Sequence, residues 1–130
     1  MCEIDPSYIY YPNAINRIYN YNPESKLIII LRQPLERAYS HYLMSKFRTY
    51  ESLNFKEALL NESNRLDSDK TNFSYLNFSY LKRSQYSDQI KIKNKYFNKE
   101  NCLFLKFDDL FNVDKQDKIL SSIYKIINMF

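Results

Sequence analysis

The chain has 130 residues, of which 45% are hydrophobic and 26% are charged, a composition that fits one globular domain at most. Glycine is absent, so a glycine-rich phosphate loop is excluded within these residues, because no other residue lets the backbone approach a phosphate as closely. The net charge of +4 arises from 19 basic and 15 acidic residues scattered along the chain, which suits an anionic ligand and argues against a nucleic-acid partner.

Short apolar runs and few cysteines define the expected environment of the chain. Leu27–Leu31 is the longest apolar run and is far too short to cross a bilayer, and residues 1–5 lack the basic and apolar regions of a signal peptide. We therefore expect a cytoplasmic protein without a membrane span. Cys2 and Cys102 are too few for a disulfide framework and lack metal-ligand spacing, so free thiols and no metal site are expected.

The first predicted elements are a loop and a short helix. The stretch Glu3–Tyr11, with aromatic residues around Pro6, is typical of a loop with extended character. Pro12 is suited to the first turn of a helix, which we predict to run to about Tyr19. Asn22-Pro23 then ends the helix, because the residue before a proline disfavours the helical conformation.

A strand followed by a helix forms the centre of the predicted fold. Leu27–Leu31 is short, apolar and rich in β-branched residues, which predicts a strand buried on both faces of a parallel sheet. Pro34 is predicted to open a helix that runs to about Arg48. The residues that share its apolar face are predicted to be Leu35, Ala38, Tyr39 and Tyr42.

Arg32 follows this strand at the edge where open α/β sheets bind anions. Ser40 lies two turns into the helix on the side of Arg37, and its hydroxyl could meet the guanidinium of Arg32 around one phosphate. The alternative is that Arg32 and Arg37 only pair with Glu36 and other surface carboxylates.

The middle of the chain combines a helix signal with a short repeat. Asn54 followed by Glu57 is a capping-box pattern and predicts a helix. Its predicted apolar side consists of Phe55, Ala58, Leu59 and Leu66. The sequence Asn-Phe-Ser-Tyr-Leu at 72–76 is repeated at 77–81, and its aromatic residues either line an acceptor cleft or pack beneath a loop.

Three further elements complete the prediction. Gln89–Phe97 carries both alternating and helical patterns and is predicted to be a helix, and Cys102–Phe107 is predicted to be a second parallel strand. Asp114 is predicted to cap a final helix with an apolar stripe that belongs to the core. That stripe consists of Ile119, Leu120, Ile123, Ile126, Ile127 and Phe130.

The segment Arg32-Gln33-Pro34-Leu35-Glu36-Arg37-Ala38-Tyr39-Ser40-His41-Tyr42 resembles the 3′-phosphate-binding motif of sulfotransferases that use 3′-phosphoadenosine 5′-phosphosulfate (PAPS). That motif is usually Arg-Asn-Pro-x-x-Arg-x-x-Ser, so Gln33 stands where asparagine is usual. The resemblance extends from about Glu3 to the C-terminus. It implies the P-loop nucleotide-kinase-like sulfotransferase fold, an α/β parallel sheet flanked by helices, with Arg32 and Ser40 on the 3′-phosphate of PAPS and no metal.

Two other segments are similar to parts of the same family. Lys82-Arg83-Ser84-Gln85-Tyr86-Ser87-Asp88-Gln89-Ile90 resembles a basic-Gly-x-Tyr-x-x-Gln-Leu segment, which implies that Lys82, Arg83, Ser84 and Tyr86 close over the 3′-phosphate and adenine. Ser84 replaces the glycine, and a positive φ there would carry strain. The run Glu3-Ile4-Asp5-Pro6-Ser7-Tyr8 resembles the family's glutamate followed by Lys/Ala-Ser/Thr-Pro-x-Tyr, with Ile4 and Asp5 as departures. This resemblance implies that Glu3 is the catalytic base, with Asp5 as the alternative.

The family's first strand and its Lys-Ser/Thr-Gly-Thr loop would precede Glu3, so residues 1–130 are interpreted as a single partial sulfotransferase domain, truncated before Glu3. The implied function is transfer of a sulfuryl group from PAPS to a hydroxyl or amine acceptor. A sugar, a lipid or a small molecule would serve as acceptor. The alternative is a non-catalytic remnant that binds 3′,5′-adenosine bisphosphate or acts as an interaction module. An unpaired edge of the apolar strand would favour self-association.

Overall fold

A computed structural model describes residues 2–69 and 71–127 of the chain. Within these residues the elements are two strands, seven α-helices and three short 3₁₀ turns. The strands are β1 (Leu27–Leu31) and β2 (Cys102–Lys106). The helices are α1 (Pro12–Tyr21), α2 (Pro34–Phe47), α3 (Phe55–Leu60), α4 (Glu62–Ser68), α5 (Phe73–Asn77), α6 (Tyr86–Tyr96) and α7 (Val113–Ile126). The 3₁₀ turns are Lys82–Ser84, Lys99–Asn101 and Phe107–Phe111.

The chain forms two compact units, each with its own packing. Unit 1 comprises Met1–Arg32 and Tyr86–Phe130, and unit 2 comprises Gln33–Gln85. Unit 1 contains the sheet with α1, α6 and α7, whereas unit 2 consists of helices and turns.

The sheet of unit 1 is parallel, as the sequence predicts. β1 pairs with β2 in a register that places Leu27 opposite Cys102 and Leu31 opposite Lys106. The predicted α/β architecture, a parallel sheet flanked by helices, is therefore confirmed.

The prediction that β1 is buried on both faces is wrong for the described structure. Side chains alternate between the two faces of a strand. Ile29 is buried, whereas Ile28 and Ile30 on the opposite face are 39% and 51% exposed. One face of the apolar strand is therefore covered and the other is largely open.

The helices of unit 1 agree with the predicted elements apart from their ends. α1 begins at Pro12 and ends at Tyr21, where Asn22 caps it, so it is two residues longer than predicted. Gln89–Phe97 is helical rather than extended, because α6 covers most of it. α1 lies against the end of α6, where the ring of Tyr19 contacts the ring of Phe97, the residue after the helix, edge to face with centroids 5.4 Å apart.

The final helix corrects two predictions. Asn112 caps α7, because its side chain accepts a hydrogen bond from the N–H of Asp114, which was predicted to be the cap. The apolar stripe was predicted to be core, but α7 has no buried residue among the described ones, and Leu120 is 47% exposed. Phe130 lies outside the described residues.

Unit 2 is built around α2, which begins at Pro34 as predicted. Gln33 caps the helix, because its side-chain oxygen accepts a hydrogen bond from the N–H of Glu36 at 2.7 Å. The core cluster consists of Ala38, Tyr42, Ala58 and Tyr80. The buried face differs from the predicted one, since Leu35 and Tyr39 are exposed and His41 and Ser45 are buried in their place.

In the rest of unit 2, local sequence signals predict the start of a helix correctly but not its length. Asn54 and Glu57 form the predicted capping box at the start of α3. The predicted single helix is interrupted at Asn61, where α4 takes over. The first repeat copy forms α5, while the second contributes the fully buried Ser79 and Tyr80, so aromatic packing beneath a loop is the better description.

No helix within the described residues has both the length and the apolar character needed to span a membrane. The two cysteines are free thiols, as expected, with Cys2 exposed and Cys102 half-buried.

Candidate functional site

Arg32 lies at the carboxyl edge of the sheet in unit 1. It directly follows Leu31, which pairs with Lys106, and its guanidinium carbon lies 4.9 Å from the centroid of the Phe107 ring. A cation over an aromatic face is attracted by the ring and loses freedom of movement. Phe107 therefore helps to hold the guanidinium at the edge where anions bind in open sheets.

Ser40 lies on α2 in unit 2 and is exposed. It follows Arg37 by three residues, which places both on one side of the helix. Gln33, the departure from the usual motif, supplies the helix cap, so the substitution has a local structural role. Sequence reasoning missed this role, although a polar residue directly before a proline at N1 is a recognisable cap position.

Arg37 connects α2 to the predicted nucleotide-binding turn. Its Nε donates a hydrogen bond to Oγ of Ser84 at 2.6 Å, and its Nη2 donates to the carbonyl of Tyr80 and, at 3.4 Å, to that of Ser79. The guanidinium is therefore half-buried and structural rather than a surface group that only pairs with Glu36. Two segments that are far apart in the sequence, α2 and Lys82–Ser84, thus lie in contact within unit 2.

Ser84 is buried and both accepts and donates a hydrogen bond. Its Oγ accepts from Arg37 and donates to the carbonyl of Tyr80 at 3.0 Å. Positive φ angles among the described non-glycine residues occur at Thr49 and Asn72, not at Ser84. The strain expected for serine in place of glycine is therefore absent, because the turn is a 3₁₀ helix with ordinary backbone angles.

Glu62 fixes the other end of the same turn. Its carboxylate is buried and accepts hydrogen bonds from the N–H groups of Leu81 at 2.7 Å and Lys82 at 2.8 Å. The Lys82 side chain is exposed and Arg83 is half-buried. Sequence reasoning missed this role of Glu62, because its hydrogen-bond partners follow it by about twenty residues and no local sequence pattern indicates the contact.

A buried polar network lies in the core of unit 2. Glu51 accepts two hydrogen bonds from Arg65, at 2.5 and 3.1 Å, and one from the hydroxyl of Tyr80 at 2.9 Å. Burial acts to raise the pKa of Glu51, but hydrogen bonds from Arg65, the Leu53 amide and Tyr80 outweigh it, so the pKa is lowered. The pKa of Tyr80 is raised, mainly by burial and secondly by its hydrogen bond to Glu51. This network stabilises the unit rather than offering a site.

His41 is the single histidine of the chain and is buried on α2. Its Nε2 lies 3.1 Å from the carbonyl of Leu76, and its ring contacts that of Tyr80 edge to face. Burial, together with the positive charges of Arg37 and Arg83, lowers the pKa of His41 to about 4. The imidazole is therefore neutral at neutral pH.

The candidate base lies in unit 1 near the N-terminus. Glu3 is exposed and its Oε1 accepts a hydrogen bond from the hydroxyl of Tyr8, which raises the pKa of Tyr8. Oδ1 of Asp5 accepts a hydrogen bond from the N–H of Ser7 at 2.5 Å and so orders the loop. Tyr86, at the start of α6, is half-buried in the same unit.

The predicted site residues are divided between the units. Ser40, Lys82, Arg83 and Ser84 belong to unit 2, whereas Glu3, Arg32 and Tyr86 belong to unit 1. Within the described ranges no three side chains of metal-ligand type form a cluster.

Comparison with known proteins places this geometry in a known fold. The chain is similar to the crystal structure of a sulfotransferase from Alicyclobacillus acidocaldarius, with a TM-score of 0.79 and 24% sequence identity. The chain is therefore similar in fold to that sulfotransferase. The match covers 94% of this chain and 47% of that structure, so the chain spans about half its length. Neither a family model nor a curated protein sequence matches.

Proposed function

We propose that this chain carries the 3′-phosphate-binding part of a PAPS-dependent sulfotransferase. The observation that supports this most is the contact between α2 and the turn Lys82–Ser84, which Arg37 maintains in unit 2. These are the two segments that resemble separate parts of the family's 3′-phosphate site. The similarity in fold to a sulfotransferase agrees with this proposal.

Unit 2 carries exposed donor groups of the kinds that bind a phosphate dianion. Ser40 offers an exposed hydroxyl and Lys82 an exposed ammonium group. The amides of Leu81 and Lys82 already donate to Glu62, and the Ser84 hydroxyl is already bonded to Arg37 and Tyr80. We therefore assign the phosphate contacts to side chains, with Ser84 fixing the turn instead of touching the nucleotide.

The remaining assignments follow from the motif. Arg32 is proposed to contact the 3′-phosphate through a charge-assisted pair of N–H donors, as guanidinium groups do. Tyr86 and Arg83 are proposed to contact the adenosine part. These roles come from the sequence resemblance and stay predictions.

In the proposed reaction the acceptor oxygen forms a bond to the sulfur of PAPS while the bond from sulfur to the 5′-phosphate oxygen breaks. The acceptor hydroxyl loses its proton to a carboxylate, and 3′,5′-adenosine bisphosphate leaves. We propose Glu3 as that base because the family resemblance implies it, with Asp5 as the alternative. Each carboxylate has one oxygen that already accepts a hydrogen bond, which comes from the Ser7 amide in Asp5. Tyr8 occupies Oε1 of Glu3, so Oε2 would take the proton.

Titration calorimetry with 3′,5′-adenosine bisphosphate tests the binding assignments. Loss of a charge-assisted contact costs about 1.5–3 kcal/mol, so Arg32→Ala should weaken binding roughly 10- to 150-fold. Ser40→Ala should weaken it by a smaller factor. Arg48→Ala and Ser52→Ala are matched controls on exposed residues of unit 2 and should bind like wild type. Equal affinities for wild type and Arg32→Ala would refute the assignment.

Turnover separates the enzyme from the alternative of a non-catalytic nucleotide-binding protein. Release of 3′,5′-adenosine bisphosphate from PAPS would be measured with sugar, lipid and small alcohol acceptors. If the chain turns over, Glu3→Gln should lower the rate while leaving nucleotide affinity unchanged, since the base does not hold the nucleotide. Tight nucleotide binding with no turnover on any acceptor would favour the non-catalytic alternative.

A further inference from the structure

The turn Lys82–Ser84 in unit 2 is held at both ends by side chains from two different helices. At its C-terminal end, the serine hydroxyl accepts a hydrogen bond from Nε of Arg37 on α2 at 2.6 Å. At its start, both carboxylate oxygens of Glu62 on α4 accept backbone hydrogen bonds. Oε2 accepts from the N–H of Leu81 at 2.7 Å, and Oε1 accepts from that of Lys82 at 2.8 Å. The exposed side chain of Lys82 therefore projects from a backbone that is fixed on either side.

The carboxylate of Glu62 is the main support at the start of the turn. A helical turn leaves its first N–H groups without an acceptor of its own, and these are the two that Glu62 binds. Packing contributes less on this side, because the turn borders a groove of about 320 Å³ that is also lined by side chains of α3 and α4. Leu60 and Leu81 in its wall stay 72% and 42% exposed. Hydrogen bonds to one buried carboxylate, rather than close packing, thus set the backbone at Lys82.

We infer that Glu62 is a positioning residue for the 3′-phosphate and that it acts through Lys82. The inference rests on the proposed function, in which the ammonium group of Lys82 contacts that phosphate. A lysine side chain is long and flexible, so a contact through it is weaker when the backbone that carries it must also be ordered on binding.

The charge of Glu62 makes the inference distinguishable from simple electrostatics. A carboxylate near a phosphate repels it, so neutralising Glu62 would strengthen nucleotide binding if charge alone mattered. Positioning predicts the opposite sign, because the turn loses its support. The substitution Glu62→Gln suits this comparison, since glutamine keeps the shape of the side chain but offers a single acceptor oxygen and no charge.

Hydrogen exchange of the turn amides tests the support without any nucleotide. In Glu62→Gln, the N–H of Leu81 or Lys82 should exchange at least about tenfold faster than in wild type, as measured by NMR, because an acceptor is lost. Asp67→Asn removes an exposed carboxylate from the same helix and is the matched control, with exchange at the wild-type rate. A thermal melt establishes that both variants fold. Equal exchange of both amides in Glu62→Gln and wild type would overturn the inference.

A double-mutant cycle tests whether Glu62 acts through Lys82, with 3′,5′-adenosine bisphosphate binding measured by titration calorimetry. Lys82→Ala should weaken binding about tenfold in the wild-type background but less than about threefold in the Glu62→Gln background, since a misplaced lysine has little left to lose. Glu62→Gln alone should weaken binding about fivefold, whereas Asp67→Asn should not weaken it. An equal effect of Lys82→Ala in both backgrounds, or tighter binding by Glu62→Gln than by wild type, would overturn the positioning role.

Adenosine 5′-monophosphate separates this inference from the proposed function. It lacks the 3′-phosphate, so wild type and Glu62→Gln should bind it equally. A wild type that does not prefer the bisphosphate, or a Lys82→Ala variant that binds it like wild type, would overturn the proposed phosphate contact and the inference with it. A wild type that prefers the bisphosphate and keeps that preference unchanged in Glu62→Gln would overturn the positioning role alone.

Discussion

Acidification should destabilise the protein through His41 before any carboxylate contributes. The pKa of His41 is about 4 in the folded chain against an ordinary value of 6.5, because burial and the neighbouring Arg37 and Arg83 oppose a positive charge. Between these two values the unfolded chain binds a proton that the folded chain does not. The free energy of unfolding therefore falls as the pH falls from about 6.5 towards 4.

The size of this effect follows from the pKa shift of His41. One pKa unit corresponds to 1.36 kcal/mol, so the full loss is about 3 kcal/mol, of which about 2 kcal/mol is reached by pH 4.5. The lowered pKa of Glu51 adds to the loss only below its ordinary value of 4.5. The interval from pH 6.5 to 4.5 thus reports on His41, the single histidine of the chain.

Urea unfolding at several pH values, combined with an NMR titration of the one imidazole, measures the effect. Wild type should lose about 2 kcal/mol of stability across this interval, and the imidazole of the folded chain should titrate near pH 4. His41→Phe, which keeps the ring contact with Tyr80 but cannot titrate, should lose almost none. A wild type of constant stability over this interval, or a His41→Phe variant with the same slope, would refute the reasoning.

Two further substitutions test the supports of unit 2. Arg37→Ala removes the link from α2 to Ser84 and should lower the free energy of unfolding by about 1.5–3 kcal/mol. In a thermal melt its Tm should fall by about 5–10 °C, whereas the control Arg48→Ala should melt like wild type. Glu51→Ala leaves Arg65 without its buried carboxylate and should lower the free energy of unfolding, measured in urea, by about 3 kcal/mol. A urea midpoint equal to that of wild type would contradict the proposed network.

The elements were predictable because their signals are local. A β-branched apolar run predicts β1, prolines at the first helical turn predict α1 and α2, and the Asn54–Glu57 pair predicts the capping box. Each signal depends on residues within a few positions of one another. The type and approximate bounds of these elements therefore follow from the sequence even though no partner strand or helix is known.

Burial and long-range contacts were not predictable in the same way. Arg37 and Ser84 are 47 residues apart, so neither sequence segment indicates that a guanidinium holds the turn. The stripe on α7 has the pattern of a core helix, yet its exposure depends on what packs against it. The exposure of Ile28 and Ile30 on the open face of β1 was unpredictable for the same reason. An apolar sequence does not show how many faces of the strand are covered by other elements.

The central claim is that the chain recognises the 3′-phosphate of an adenosine nucleotide. Titration calorimetry of wild type with 3′,5′-adenosine bisphosphate and with adenosine 5′-monophosphate tests it most directly, because the two ligands differ only in that phosphate. We expect the bisphosphate to bind at least tenfold more tightly, as loss of a charge-assisted contact costs about 1.5–3 kcal/mol. Equal affinities, or no binding of either nucleotide, would contradict the claim.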